Sequence, residues 1–273
     1  MSVEHDMSHA YRIKPNTKVD LNAIDPKDTS GVCDVEKAHA NLAELIEEIN
    51  ILQDRLYAEG KKSLLVILQG MDTSGKDGTV RGVFNATGPM GVTVQPFRQP
   101  CGEELMHDYL WRAHLAVPRK GTIGIFNRSH YEDVLVAKVR KLSPHNDIEK
   151  RYDQINAFEK MLVENGTVIL KFMLNISKGE QGKRLQERLD HPDKRWKFQK
   201  ADLDDRRDWK EFIHAYEVML ERCSTSYAPW HIIPSDHKWA RNAAIADIVC
   251  DALRQMDPQY PQPTWKPSDF VID

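Results

Sequence analysis

The sequence predicts an α/β fold of three layers, a parallel sheet with helices on both faces, and three observations carry that prediction. First, five short apolar runs read as strands buried on both sides: LLVIL at 64–68, GVTVQPF at 91–97, GTIGIFN at 121–127, TVILKFML at 167–174 and WHIIP at 230–234. Second, helical spacing fills the intervals, at 78–88, 103–117, 129–141, 147–164, 177–189, 206–226 and 238–256. Strands that alternate with helices become parallel neighbours. Third, a glycine-bounded loop, GMDTSGKDG at 70–78, joins the first run to a helix.

Residues 1–34 are polar and broken by Pro15, Pro26 and Gly31, so an extended N-terminal arm is expected. The stretch from Asp34 to Gly60 follows, with Leu42, Leu45, Ile46, Ile49, Leu52 and Leu56 at the spacing of an amphipathic helix. Residues 35–260 are expected to form one catalytic domain and 261–273, rich in proline, a surface tail. A chain of 273 residues with 41% hydrophobic composition suffices for one such domain.

Lys and Arg number 38 against 41 Asp and Glu, a formal net charge of −3, which excludes a general nucleic-acid binder. A polyanion can still sit in a local basic channel. Cys33, Cys101, Cys223 and Cys250 have neither metal-ligand spacing nor disulfide density, as expected in a reducing cytoplasm. The N-terminus lacks the apolar core of a signal peptide, and no apolar run is long enough to span a bilayer.

The segment from Gly70 to Lys76 has the phosphate-cradle spacing. Gly70 and Gly75 let the backbone fold so that several N–H groups point at one anion, the helix start adds its dipole, and Lys76 reaches the terminal phosphates. The expected phosphate-binding set is Gly70, Thr73, Ser74, Gly75, Lys76, Gly78, Thr79 and Arg81. A carboxylate facing phosphates is costly unless a cation lies between them, so Asp72 is expected to hold magnesium or act as a base. Asp77, where a serine or threonine usually stands, reads as either of these or as a helix-start charge.

The run GIFNRSHYEDVL puts Asn127 at a strand end and Arg128 after it. Arg128 suits a transition-state clamp, since guanidinium matches phosphoryl oxygens in pairs; its simpler role is a salt bridge to Glu132. His130 and Tyr131 read as packed or capping residues rather than metal ligands. Further on, Arg184 and Arg188 share a helix side, and Lys194, Arg195, Lys197 and Lys200 crowd behind a His-Pro turn. This stretch, about 189–206, reads as a mobile lid over phosphates or as a solvated charged loop, with Trp196 and Phe198 favouring docking. Arg81, Arg98, Arg119, Lys120 and Lys171 are candidates to line a polyanion channel with it.

Together GMDTSGKDG, FRQP, FNRSHYEDVL, LKFMLNISKGEQ and DKRWKFQKADL resemble the family-2 polyphosphate kinases across roughly 35–260. The resemblance implies a thymidylate-kinase-like phosphate-loop fold with a basic helical lid. It also implies phosphoryl transfer between inorganic polyphosphate and a nucleotide, with Mg2+ or alternatively Mn2+, in a homodimer or homotetramer. By that likeness Asp72, Lys76 and Asp77 match catalytic positions, with Asp72 the metal ligand. Arg128 matches the arginine after the second motif, and Arg188, Lys194, Arg195 and Lys197 match basic positions around the lid; Arg98 and Asn127 join the nucleotide side. Many members carry Asp at Asn127 and Asn at Glu132. The NRSHYED combination resembles the subgroup called class III, which phosphorylates AMP to ADP and ADP to ATP. Glu132 or Asp133 is then a candidate to supply, through a magnesium-bound water, the charge missing at Asn127. The competing expectations are an ATP-dependent nucleoside monophosphate kinase and a nucleotide-sensing module that binds without turnover.

Overall fold

A computed structural model describes residues 10–30, 35–270 and 272. The first nine residues of the expected arm, residues 31–34 with Cys33, and tail residues 271 and 273 lie outside the described residues.

Five strands form one sheet: β1 (Ser63–Gln69), β2 (Val92–Pro96), β3 (Ile123–Asn127), β4 (Thr167–Asn175) and β5 (Trp230–Pro234). All pairings are parallel and the order is β2-β3-β1-β4-β5. The apolar runs are continuous because the central strands are covered twice; every residue of β1 is buried. Its side chains alternate between two cores. Leu64, Val66 and Leu68 pack with α1 (Val35–Glu59) and the final helix α9 (Lys238–Met256). Leu65 and Ile67 pack on the other side with α5 (His145–Glu164) and α8 (Trp209–Cys223). The three layers follow from that period of two.

The chain leaves β1 for the edge at β2 and returns to β3, so the sheet order reverses beside β1. Open parallel sheets bind ligands at the carboxyl ends of the strands at such a point. Leu68 stands level with Asn127, which puts the loops after β1 and β3 side by side.

Several helices differ from the expected bounds. The helix after the glycine loop, α2, runs over Lys76–Val83, starting at the lysine itself. The stretch 103–117 divides into a 3-10 turn (Gly102–Met106) and α3 (Trp111–Ala116), and 129–141 into a 3-10 turn (His130–Asp133) and α4 (Val136–Val139). After α6 (Lys178–Asp190), the lid is mostly ordered as a 3-10 turn (Arg195–Lys197) and α7 (Lys200–Arg207), which leads directly into α8. A capping box in which Gln199 and Asp202 exchange hydrogen bonds starts α7 before the apolar periodicity begins.

The described part of the arm runs along β5. Ile13 N–H donates to Trp230 O at 2.8 Å and Ile232 N–H to Tyr11 O at 3.0 Å, covering an otherwise open sheet edge.

Two candidate channel cations and a third lie elsewhere. Arg119 and Lys120 precede β3, at the amino edge of the sheet, away from the glycine loop. Lys171 is fully buried on β4, because its position in the strand points into the core. Its Nζ donates to Glu159 Oε2 at 2.5 Å, Tyr131 Oη at 2.9 Å and Cys223 O at 2.7 Å. Tyr131 Oη in turn donates to Glu159 Oε1 at 2.7 Å. A buried pair of this kind contributes little net stability but is costly to break from one side. Glu159→Leu is therefore expected to lower unfolding free energy by about 3–5 kcal/mol in chemical denaturation. Lys171→Met added to it should recover much of that loss, and a single variant within about 1 kcal/mol of wild type would contradict this role.

Candidate active site

The glycine loop spans Gly70 to Gly75 between β1 and α2. Gly70 and Gly75 take φ of +148° and +111°, and a Cβ on Gly70 would stand 2.7 Å from Leu174 O. Thr73 also takes a left-handed φ, +64°. The turn leaves the Gly75 amide and the first amides of α2 at the mouth of the loop, with no side chain capping the helix start. Ser74, Thr73 and Thr79 hydroxyls are buried without hydrogen-bond partners among the described residues. A polar cradle left unsatisfied is the state a phosphate group completes.

Lys76 is buried and folds back on its own loop, donating to Gly70 O at 2.7 Å and Met71 O at 3.1 Å. Burial first, then the neighbouring Arg128, push its ammonium down to about 8 against the pull of Asp72, Glu132 and Asp77.

Across the loop, Arg128 N–H donates to Leu68 O at 3.0 Å, anchoring the turn after β3 to β1. Arg128 itself holds φ +61°, an uncommon conformation for a branched-chain-free but bulky side chain, and such backbone strain clusters at functional sites. Its guanidinium donates to Asp72 Oδ1 at 2.5 Å and to Glu132 Oε2 at 3.5 Å. The expected Arg128–Glu132 pair is thus the looser of the two, and spacing along the chain gave no sign of the closer one. Glu132 Oε1 also accepts from Gln69 Nε2 at 3.0 Å. Burial pushes the Asp72 carboxyl up, but Arg128, Lys76 and Arg188 outweigh it and hold it below the usual carboxylate range.

Asp77 accepts from Asn127 Nδ2 at 2.7 Å, so Asn127 meets the carboxylate as a neutral donor where an acid would repel it. Asp77, Asn127, Asp72, Arg128, Glu132 and Lys76 are therefore brought to one place. Arg188 reaches the same region and donates to Asp202 Oδ2 and Lys197 O, both at 3.2 Å. Gly78 and Thr79 lie in the first turn of α2. Arg81, further along that helix, and Arg98, after β2, are exposed, with no ion pair among the described residues. Arg112 holds Arg98 O from behind at 2.7 Å.

The lid departs from expectation in one respect. Trp196 is 74% exposed, so the described part of this chain does not bury it. Arg184 does not face the site: it is buried and donates to Thr73 O (2.9 Å), Ser235 O (2.8 Å) and Asp236 O (2.9 Å). Lys194, Arg195 and Lys197 carry no carboxylate partner among the described residues; Arg195 donates to Leu189 O at 2.8 Å, and Lys197 lies over the Trp196 ring at 5.1 Å. The helix behind them brings acids inward. Asp205 faces Asp72, and burial, then that charge, raises it against the pull of Arg140.

Sequence reasoning missed Gln69, Asp202, Asp205, Tyr216 and Arg241. Tyr216 is buried beside Glu132 and Arg128, with burial and then Glu132 raising its phenol. Arg241 had a faint signal, since it shares a helix face with the buried Ile245 and Ile248.

A parallel sheet of this order, a phosphate loop at its reversal point and an arginine facing the loop define a phosphate-loop kinase, a phosphotransferase. The chain belongs to the polyphosphate kinase 2 family: the family profile, Polyphosphate kinase 2 (PPK2), matches residues 33–261. It is 49% identical over 264 residues to the AMP/ADP-polyphosphate phosphotransferase of Meiothermus ruber, covering 96% of this chain and 99% of that protein. It is 36% identical over 271 residues to the ADP-polyphosphate phosphotransferase of Rhodopseudomonas palustris, covering 93% and 92%. The crystal structure of polyphosphate kinase 2 from Arthrobacter aurescens superposes with a TM-score of 0.94 at 39% identity, over 98% of this chain and 96% of that one. No helix among the described residues is long and apolar enough to cross a membrane.

The depressed Lys76 makes a pH prediction. If Lys76 meets the donor's phosphates it does so as the ammonium, so kcat/KM for the donor, which reports the free enzyme, should fall as pH rises through about 8. A bound polyanion favours the ammonium, so the same limb in kcat should lie higher. Steady-state profiles check this; a kcat/KM that stays flat to about pH 10, the ordinary lysine range, would refute it.

Proposed function

We propose that this chain transfers the terminal phosphate of inorganic polyphosphate to AMP and ADP, giving ADP and ATP. The observation that carries the reading is the Gly70–Lys76 cradle facing Arg128 beneath a lid whose Lys194, Arg195 and Lys197 have no carboxylate partners among the described residues. Unpaired cations on a lid suit a polyanionic donor better than the apolar slot a donor base needs. End-to-end likeness to the Meiothermus ruber AMP/ADP-polyphosphate phosphotransferase supports both acceptors. Two further parts of the proposal are a cytoplasmic homo-oligomer, dimer or tetramer, and the division into an arm (1–34), a catalytic domain (35–260) with its lid (about 189–206), and a tail (261–273).

In this reading the loop amides hold the terminal phosphates and Lys76 moves from the Gly70 and Met71 carbonyls onto them. Arg128, aligned by Asp72 on one side and Glu132 on the other, meets the equatorial oxygens of the transferring group. The acceptor phosphate is already ionised near neutral pH, so positioning and charge neutralisation suffice and a strong base is not needed.

Asp72 and Glu132, on either side of Arg128, suit Mg2+ (or Mn2+ in its place), which takes one or two carboxylates and completes its shell with phosphate oxygens and water. Asp72 is the ligand of choice, with Asp77 or Glu132 acting through water; the unpartnered Ser74 and Thr79 hydroxyls add oxygen donors. When bound, the ion would neutralise phosphate charge.

The direct test is product analysis after mixing protein, Mg2+, polyphosphate and AMP without ATP. ADP followed by ATP is expected, and Lys76→Ala should reduce the rate roughly a hundredfold or more while leaving the fold intact. Turnover that needs ATP as donor would instead establish the monophosphate-kinase reading, and binding without turnover the sensing module.

Glu132 gives a sharper test. If it supports the shorter acceptor, Glu132→Asn lowers kcat/KM for AMP several-fold more than for ADP at saturating polyphosphate. If it serves only to hold Arg128 and Gln69, both rates fall together and the AMP-to-ADP ratio is unchanged.

A further inference from the structure

Behind the phosphate loop lies a buried charge that the chemistry above does not use. Arg241, on α9, is 2% exposed. Its Nη1 donates to Ser74 O at 3.3 Å, and its Nε and Nη2 donate to Asn242 Oδ1 at 3.1 and 2.9 Å. Among the described residues it forms no ion pair. The charged group that bears on it is a second cation, Arg184, whose own carboxylate partner is Glu180 at 2.8 Å. Burial first, and Arg184 after it, push the Arg241 guanidinium down to about 10, far below the usual range for arginine. Of the two guanidiniums behind the loop, Arg184 has an acid partner and Arg241 has none among the described residues.

The loop's glycines are shaped around this side chain. A Cβ on Gly75 would lie 1.8 Å from Arg241 Nη1, and one on Gly78 would lie 3.1 Å from Nη2. The guanidinium is therefore pressed against the very turn whose opposite side offers amides to an anion. Ser74 C=O and Gly75 N–H belong to one peptide unit, so donation to the carbonyl from behind strengthens the N–H as a donor in front.

We propose that Arg241 is a positioning residue for the polyphosphate donor: a buried guanidinium on the reverse of the phosphate loop whose missing counter-charge is the polyanion held on the front. The proposal rests on the reading of the loop as the donor cradle. A buried unpaired cation destabilises the empty protein. The same charge, screened poorly by a low-dielectric wall, attracts the donor through one layer of backbone. It acts equally on bound donor and transition state, because most of the donor's charge stays where it is during transfer. Uniform binding of that kind appears in KM and not in kcat.

The test compares wild type with Arg241→Met, Arg241→Gln and Arg241→Lys in two measurements. In steady-state kinetics with polyphosphate as donor and AMP as acceptor, both neutral variants should raise KM for polyphosphate about tenfold with kcat within about twofold. Arg241→Lys should restore most of the affinity. In thermal unfolding without ligand, Arg241→Gln, which keeps a donor for Ser74 O, should match or exceed wild-type Tm, while in both neutral variants the Tm rise produced by inorganic tripolyphosphate should shrink. A residue that merely packs gives the opposite pattern, a lower Tm with unchanged donor KM and an unchanged tripolyphosphate shift, and that pattern overturns the proposal. Should Arg241→Met fail to fold, Arg241→Gln, which keeps a donor for Ser74 O, decides by the same readouts. Absence of polyphosphate turnover in the wild type would count against the proposed function instead, and the tripolyphosphate shift would still decide the role of Arg241.

Discussion

The site depends on one constraint: a loop that turns its amides toward an anion must have its carbonyls satisfied on the other side. Buried backbone acceptors left empty are costly, and here nearly every carbonyl of the loop has a named donor. Lys76 serves Gly70 O and Met71 O, Arg184 serves Thr73 O, Arg241 serves Ser74 O, and Thr79 N–H serves Gly75 O. Donors come from α2, α6 and α9, three separate segments of the chain. The loop is thus held by the whole domain and not by its own glycines alone.

The same anchoring reaches further back. Arg184 also binds Ser235 O and Asp236 O, while the Asp236 carboxylate accepts from Ser177 N–H (2.8 Å) and Ser177 Oγ (2.7 Å) at the start of α6. Asp236 N–H donates to Pro26 O of the arm at 3.0 Å. The arm therefore closes the sheet edge and also ties down the turn after β5 that supports the phosphate loop. Opposite, Arg128 sits in a left-handed turn whose next residues, His130 and Tyr131, are buried against Glu159 and Lys171. Packing of that depth is what sustains a backbone conformation the residue would otherwise avoid.

The lid combines two charge patterns with different purposes. Its tip carries cations without carboxylate partners among the described residues, and its following helix carries acids that are paired. Arg140 binds both Asp205 and Asp208, and Arg188 binds Asp202. These pairs fasten α7 to α4 and α6, so the basic tip is presented from a fixed base rather than from a loose loop.

Much of this was legible in the sequence. Period-two and period-3.6 patterns place strands and helices because burial on one side or two is a local property of spacing, and the 70–78 loop declares itself because glycine, lysine and helix start must be adjacent to work. The cation cluster behind the His-Pro turn was visible, and so were Asp72, Lys76, Asp77, Arg128 and Glu132 as candidates for a single site, which the fold does bring together. Only tertiary structure decided how those charges pair. Asp72 and Arg128 are 56 positions apart, Asn127 and Asp77 are 50 apart, and no spacing rule joins them. Lys171 looked like a channel cation and is a core residue, because a strand position fixes which side of the sheet a side chain enters, and the β4 side facing Glu159 is dry. Arg241 lies in no motif of the sequence. Its meaning depends on which atom the fold sets in front of it, and that atom, Ser74 O, lies 167 residues away.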